Sequence, residues 1–469
     1  MIVPPRHYRQ WTLILLALPF LNELPAPGQS ASSNQSPIFV TIRVDASKPT
    51  SEFHPVWRFF GADEPNYAYM KNGKKLIREL GEMGPNKIYY RAHNLLCSGD
   101  GTPGIKWGST GVYREDAKGT PIYDWTIIDR IFDTYLKNGV RPYAQIGFMP
   151  KDLSIHPDPY QHHWKPGDNY GDIFTGWSYP PRDHQKWNDL VYEWVRHCVK
   201  KYGRAEVESW YWEVWNESNI GYWRGTPQEF LKLHDYAIDG VKRALPTARV
   251  GGMDTAGSGG RITRNFIEHC PRGTNYATGQ TGTPLDFISF HAKGAPTYTN
   301  GHVRMGIANQ LRTVDEGFKI VASYPETKNK PIIIGESDPD GCAACSARMY
   351  PQNGYRNSTM FSSYTAEVFA RKLELMEADG VNFEGAVTWA FEFEDQPYFA
   401  GFRTLASNGI DKPVLNVFRM FSKMGGQRLT AESDHAVSLS AMMRSGVRGQ
   451  PDISALATLD KRKLCVMVW

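Results

Sequence analysis

The chain has 469 residues, more than one domain usually holds, although an α/β barrel runs to about 250 residues or more as one unit. A formal net charge of +4 from 53 basic and 49 acidic side chains gives no sign of nucleic acid or of a strongly charged membrane surface as a partner. Six cysteines in a chain this long exclude a small disulfide scaffold, and 14 Trp with 24 Tyr suit core packing and sugar stacking alike.

Arg6 and Arg9 precede an apolar run from Trp11 to Leu21, and small residues follow at Gly28, Ser30 and Ala31. That is the pattern of a secretory leader over residues 1–30, with cleavage after Ser30, and it predicts a secreted or periplasmic protein. The run is too short to span a bilayer comfortably, and no other stretch reads as transmembrane. After a polar Ser/Asn stretch at 32–36, Ile38–Val44 alternates as a strand does. It precedes the repeating pattern, so residues 37–50 are assigned to a side β module.

From Phe53 an apolar strand, a polar loop and an amphipathic helix recur. Strands are predicted at Val56–Phe60, Lys87–Tyr90, Pro142–Phe148, from Trp210, and at Arg249–Met253, Phe287–Phe290, Pro331–Ile334 and Gly385–Trp389. Helices are predicted at Leu76–Met83, Trp125–Leu136, Trp187–Tyr202, Phe230–Ala244, Gly306–Ala322, Thr365–Ala378 and Val414–Met424. Eight alternations predict an α/β fold, a (β/α)₈ barrel over residues 51–426. Residues 427–469 lose the pattern: Ala436–Met442 and Leu464–Trp469 alternate, as in a sandwich-type β module shared with the N-terminal strand. The sequence stops within a strand at Val468-Trp469, so that module is expected to be incomplete.

The informative stretch is Trp210–Asn219, WYWEVWNESN. Large side chains on both faces followed by Asn216-Glu217 describe a strand covered on both sides that ends at a site. The bland reading is a solvated turn. Pro331–Ile334 ends the same way, on Gly335-Glu336. The two carboxylates are 119 residues apart, or three βα units of ~30–40 residues, which places them after strands four and seven. Two opposed carboxylates fit glycoside hydrolysis, one protonating the leaving oxygen and the other attacking the anomeric carbon. Burial beside Trp215 and the second negative charge are expected to raise the acid, Glu217. Asn216 is placed to donate to the sugar hydroxyl next to the anomeric carbon.

Further substrate contacts are assigned to His54, His93 and His291, each near a strand end. Phe148, Trp389 and Phe402 form a stacking wall, and Glu394 in the acidic strand-eight loop holds a ring hydroxyl. Asp63 and Glu64 read as solvated, and Asp254 is uncommitted. Cys342-Ala-Ala-Cys345 is a lone pair in a Gly/Asp/Pro loop, which leaves a local disulfide or two free thiols in preference to zinc. No metal triad and no cofactor motif is found.

Val214-Trp215-Asn216-Glu217 with Ile334-Gly335-Glu336 resembles glycoside hydrolase family 39. Arg91-Ala-His93-Asn94-Leu95-Leu96-Cys97, Gln145-Ile146-Gly147-Phe148-Met149-Pro150, Phe290-His291 and Gly401–Leu405 through Gly409–Pro413 resemble the same family in the same order, over roughly residues 50 to 425. That resemblance implies Glu217 as acid/base, Glu336 as nucleophile and retention of configuration. Ser218 stands where the family more commonly has Pro, and Glu336-Ser-Asp338-Pro339 resembles the iduronidase branch more than the xylosidase one. The expected activity is that of a retaining exo-β-1,4-xylosidase on xylo-oligosaccharides. The alternatives are an α-L-iduronidase-like or α-L-arabinosidase-like hydrolase, an endo-acting polysaccharide hydrolase, and a barrel that binds carbohydrate without cleaving it. A uronate pocket would need a cation near Glu336, and Arg348 is the candidate.

Overall fold

The computed structural model describes residues 37–85, 87–389 and 392–469, so the leader assigned to residues 1–30 lies outside the described residues. The chain divides into two compact units, Pro55–Ser422 and a second made of the residues up to His54 together with Lys423–Trp469.

The larger unit is a closed barrel of eight parallel strands. They are β1 (Phe59–Ala62), β2 (Ile88–Ala92), β3 (Val140–Ile146), β4 (Tyr211–Val214), β5 (Arg249–Thr255), β6 (Phe287–His291), β7 (Ile332–Glu336) and β8 (Phe383–Trp389). β8 pairs with β1 through Val387 and Phe59, which closes the ring. Nearly every strand residue is buried on both faces, which is why these runs are almost continuously apolar or aromatic. Inside the barrel Phe59, Tyr89, Tyr211 and Phe287 interlock, with centroids 5.2 Å apart for Phe59–Tyr89, 4.9 Å for Tyr89–Tyr211 and 5.3 Å for Tyr211–Phe287. This aromatic layer fills the interior below the strand ends and leaves the C-terminal mouth as the place where polar groups gather.

A helix follows each strand: α1 (Lys71–Gly81), α2 (Thr126–Lys137), α3 (His184–Tyr202), α4 (Pro227–Ala244), α5 (Arg261–Arg272), α6 (Ile307–Ala322), α7 (Thr359–Asp379) and α8 (Pro413–Phe421). Their starts follow local chemistry. Asp183 accepts from the Gln185 and Lys186 amides ahead of α3, and Thr226 with Glu229 forms a capping box ahead of Pro227. α5 has no counterpart among the predicted helices. It follows a glycine-rich turn and carries Pro271. No helix among the described residues is long and apolar enough to cross a membrane.

The smaller unit is a four-stranded antiparallel sheet in which Ile42–Glu52 pairs with Gln427–Ser433, then Ala455–Asp460, then Lys463–Val468. The N-terminal strand therefore joins a side β module, as expected. The alternating reading of Ala436–Met442 fails. Leu439–Ser445 is a helix capped by Ser438, whose hydroxyl accepts from the Ala441 amide at 3.4 Å. A capping serine in front of helix-forming Leu, Ala and Met outweighs a short alternation.

Candidate active site

Glu217 follows β4, and the backbone there is driven into an unusual shape. Trp215, Glu217 and Asp254 have φ of 68°, 44° and 53°, left-handed values that cost each such residue about 1–3 kcal/mol. Two backbone bonds hold them: the Trp215 amide donates to the Ile146 carbonyl at 3.1 Å, and the Glu217 amide to the Asp254 carbonyl at 2.8 Å. Glu336 ends β7, after Gly335. A Cβ on Gly335 would stand 1.9 Å from Asp254 Oδ1, so only glycine lets the end of β5 lie this close.

Glu217 and Glu336 come together across the mouth. Each offers an oxygen within 4.8 Å of the other's and of a His291 ring nitrogen. Lys293 Nζ bridges them, 3.0 Å from Glu217 Oε1 and 2.6 Å from Glu336 Oε2. His291 lies between Glu217 Oε1, 2.8 Å from Nδ1, and Asp254 Oδ2, 2.7 Å from Nε2.

Arg91, on β2, organises the layer beneath. Its Nε donates to Glu213 Oε2 at 2.6 Å and its Nη1 faces His93 Nε2 at 2.9 Å. Its Nη2 donates to Asp254 and, at 3.1 Å, to Asn216 Oδ1. With its oxygen so used, Asn216 turns Nδ2 away, and that buried donor has no partner among the described residues. Glu213 also accepts from Tyr143 at 2.7 Å and Ser289 at 2.5 Å, and burial pushes its carboxyl up to about 7 against the pull of Arg91.

The electrostatics reverse one expectation. Burial alone would raise Glu217, but the charges of Lys293 and His291 outweigh it and hold the carboxyl below its usual range. Glu336 is likewise buried and likewise lowered by His291 and Lys293, against the repulsion of Glu217. His291 is raised to about 10, because Asp254, Glu336 and Glu217 together outweigh its burial. The positive charge between the two carboxylates is thus supplied by the chain itself.

The other assigned contacts separate. Phe148 faces the mouth in an aromatic group, with ring centroids 5.1 Å from Trp215, 4.5 Å from Trp177 and 5.7 Å from Tyr222. Trp389 lies 4.4 Å from the His93 ring. His93 is close to Glu336, at 3.6 Å, but Asp63 at 2.8 Å and Arg91 occupy its nitrogens, so it positions neighbours and has no free nitrogen for a sugar. Glu394 is not at the pair: its Oε1 accepts from the Asn72 and Gly73 amides at 2.7 and 2.9 Å and caps α1. Phe402 packs on Phe393 at 5.0 Å within the strand-eight loop. His54 is exposed; it follows the side-sheet strand Ile42–Glu52 and precedes β1, which starts at Phe59 and not Val56, so it does not follow the C-terminal end of a barrel strand. Asp63, read as solvated, is buried and paired with Lys106.

Lys293, Asp254, Lys106, Arg91 and Glu213 are site groups that the sequence left unassigned. Lys293 stands two residues beyond His291, and in an extended segment i and i+2 point the same way, which is the signal that was there. Arg348 is exposed. Cys342 and Cys345 form a disulfide.

The family model for glycosyl hydrolases family 39 matches residues 40–459. A β-xylosidase of Geobacillus stearothermophilus is 27% identical over 363 residues, covering 75% of this chain and 64% of that protein. An α-L-iduronidase of Mus musculus is 26% identical over 424 residues, covering 84% of this chain and 60% of the relative. The aligned chain thus spans less than two thirds of either relative's length. Among solved structures, a monomeric β-xylosidase from Caulobacter crescentus shares the fold with a TM-score of 0.67 at 20% identity, over 90% of this chain and 75% of that one. With the match running through every barrel strand and into the terminal sheet, the chain belongs to glycosyl hydrolase family 39.

Proposed function

We propose that the protein is a retaining exo-glycosidase that removes xylose from xylo-oligosaccharides by double displacement. The observation that carries this reading is the carboxylate pair: oxygens of Glu217 and Glu336 within 4.8 Å of each other stand nearer to the spacing of about 5–5.5 Å between carboxyls that direct attack uses than to the spacing of about 6.5–9.5 Å in an inverting pair. Glu336 attacks the anomeric carbon while Glu217, in the fraction of molecules where it holds a proton against the charges of Lys293 and His291, gives that proton to the departing oxygen, and the bond to the aglycone breaks. Glu217 then takes a proton from water, whose oxygen attacks the same carbon and releases Glu336. The unpartnered Nδ2 of Asn216 donates to the hydroxyl beside the reacting carbon.

The exo reading is supported by the long loops: a Cβ on Gly167, after β3, would lie 2.8 Å from Met349, after β7, so these loops touch. Export is part of the proposal, supported by the leader pattern and by the Cys342–Cys345 disulfide, which suits an oxidising compartment. A second reading is a uronate glycone. Lys293, 2.6 Å from Glu336, is the cation that such a substrate requires.

Aryl glycosides test both readings: β-xyloside, α-L-arabinoside, β-galactoside and α-L-iduronide, each with the wild type, Glu217→Gln and Glu336→Gln. Cleavage of the xyloside, lost in both variants, is expected. Preference for the iduronide would install the second reading, and a silent panel with folded protein would contradict both.

A further inference from the structure

His291 is fully buried at the end of β6, and each of its nitrogens faces a carboxylate oxygen, Nδ1 at 2.8 Å from Glu217 and Nε2 at 2.7 Å from Asp254. An imidazole donates to two acceptors at once only when both nitrogens carry protons. Asp254 is in turn gripped by Arg91, and Arg91 by Glu213 at 2.6 Å. Arg91, Asp254, His291 and Glu217 therefore form a buried row of alternating charge, with the Glu213 carboxyl beneath Arg91. Lys293 donates to the same Glu217 oxygen as His291, at 3.0 Å. Oε1 is thus pinned by two cations, and Oε2 takes part in neither bond.

We infer that His291, clamped by Asp254, is a positioning residue for proton transfer: with Lys293 it fixes Glu217 Oε1, so that Oε2 carries the proton given to the departing oxygen and later taken from water. The same two cations set the pH at which Glu217 holds that proton. This role rests on the reading of Glu217 as the acid/base. Glu217 is faced by His291 and Lys293, by Glu336 across the mouth and by the hydroxyls of Tyr170 and Tyr222. His291 is faced by Asp254, by Glu217 and, at 3.8 Å, by Glu336.

Removing the imidazolium takes away one of two charges that favour ionised Glu217, so the carboxyl keeps its proton to higher pH. The alkaline limb of kcat/KM reports that proton in the free enzyme. In His291→Gln the limb is expected to move up by about 1–3 pH units, the size of effect one adjacent charge produces. A uniform loss of rate with the limb in place would reduce His291 to a structural role and overturn the inference.

A second readout needs no turnover. With histidine labelled by ¹⁵N, one ring, absent from the spectrum of His291→Gln, is expected to stay doubly protonated through pH 8, and in Asp254→Asn the same ring is expected to lose its second proton at lower pH. A neutral ring at pH 7 in the wild type would overturn the inference. This measurement decides the charge row even in a protein that cleaves none of the glycosides, so failure of the activity reading and failure of this inference remain distinct.

Discussion

Asn216 and Glu394 are both polar residues near barrel strand ends, and the atoms around them give them opposite roles. Arg91 takes the Asn216 oxygen and leaves a buried donor unpaired among the described residues, a cost of about 1–3 kcal/mol that, on the proposed function, a substrate hydroxyl offsets. Asn216→Ala is expected to lower kcat by about 10²–10³ with the thermal midpoint held or raised, measured by steady-state kinetics beside a thermal melt. Glu394 spends its carboxylate on the first amides of α1. Glu394→Gln is expected to cost about 1 kcal/mol of stability and leave KM unchanged, whereas a raised KM at unchanged stability would return it to the substrate. Either strand end alone also fits a solvated turn; that Glu217 and Glu336 would meet was legible because two such ends stand three βα units apart. Lys293 was not, because Ala-Lys-Gly after a strand reads as a solvated loop until barrel closure brings two carboxylates to it. The charge it adds is also why Glu217 is lowered where its burial alone pointed upward.

At the scale of elements, the ends of β5 and β7 are machined to one another. Gly335→Ala would drive a methyl group into Asp254, cost about 1–3 kcal/mol in overpacking and let Asp254 slip from His291. Loss of activity in a protein that still folds is the expected result, read by activity and circular dichroism together. The loop after β7 is held differently. Arg356 donates to the carbonyls of Cys342, at 2.7 Å, and Cys345, at 2.7 Å, and pairs with Asp340, which Arg403 also contacts at 3.3 Å. Burial works against the Asp340 charge, but the two guanidinium groups win and hold its carboxyl at about 2. A depressed carboxyl contributes stability that is present above its unfolded value near 3.9 and lost as pH falls through the folded one. Asp340→Asn is therefore expected to cost about 3–5 kcal/mol at neutral pH, and about 2–3 kcal/mol of that difference should disappear between about pH 4 and pH 2 as the wild type loses the charge. Helix α5 escaped the sequence reading because Gly257, Gly259 and Gly260 precede it and Pro271 lies inside it, signals of a loop that tertiary packing overrides. The helix at Leu439–Ser445 was misread for the opposite reason, since a seven-residue alternation fits either period.

For the molecule as a whole, closure of the ring between β8 and β1 turns two carboxylates 119 residues apart into neighbours. That outcome was readable, because eight alternations leave one arrangement and place the ends of β4 and β7 across one mouth. The terminal sheet was only partly readable. Its first strand starts at Ile42 and changes register around Pro49, so alternation alone could not place its ends. On the proposed function, this mouth performs a double displacement through Glu336. The most direct measurement is to supply the glycone that the panel identifies as its 2-deoxy-2-fluoro derivative with an activated leaving group, digest the protein and locate the added mass. One glycosyl ester, on Glu336, is expected together with a first-formed product of retained anomeric configuration. A label on another residue, or an inverted product, would contradict it.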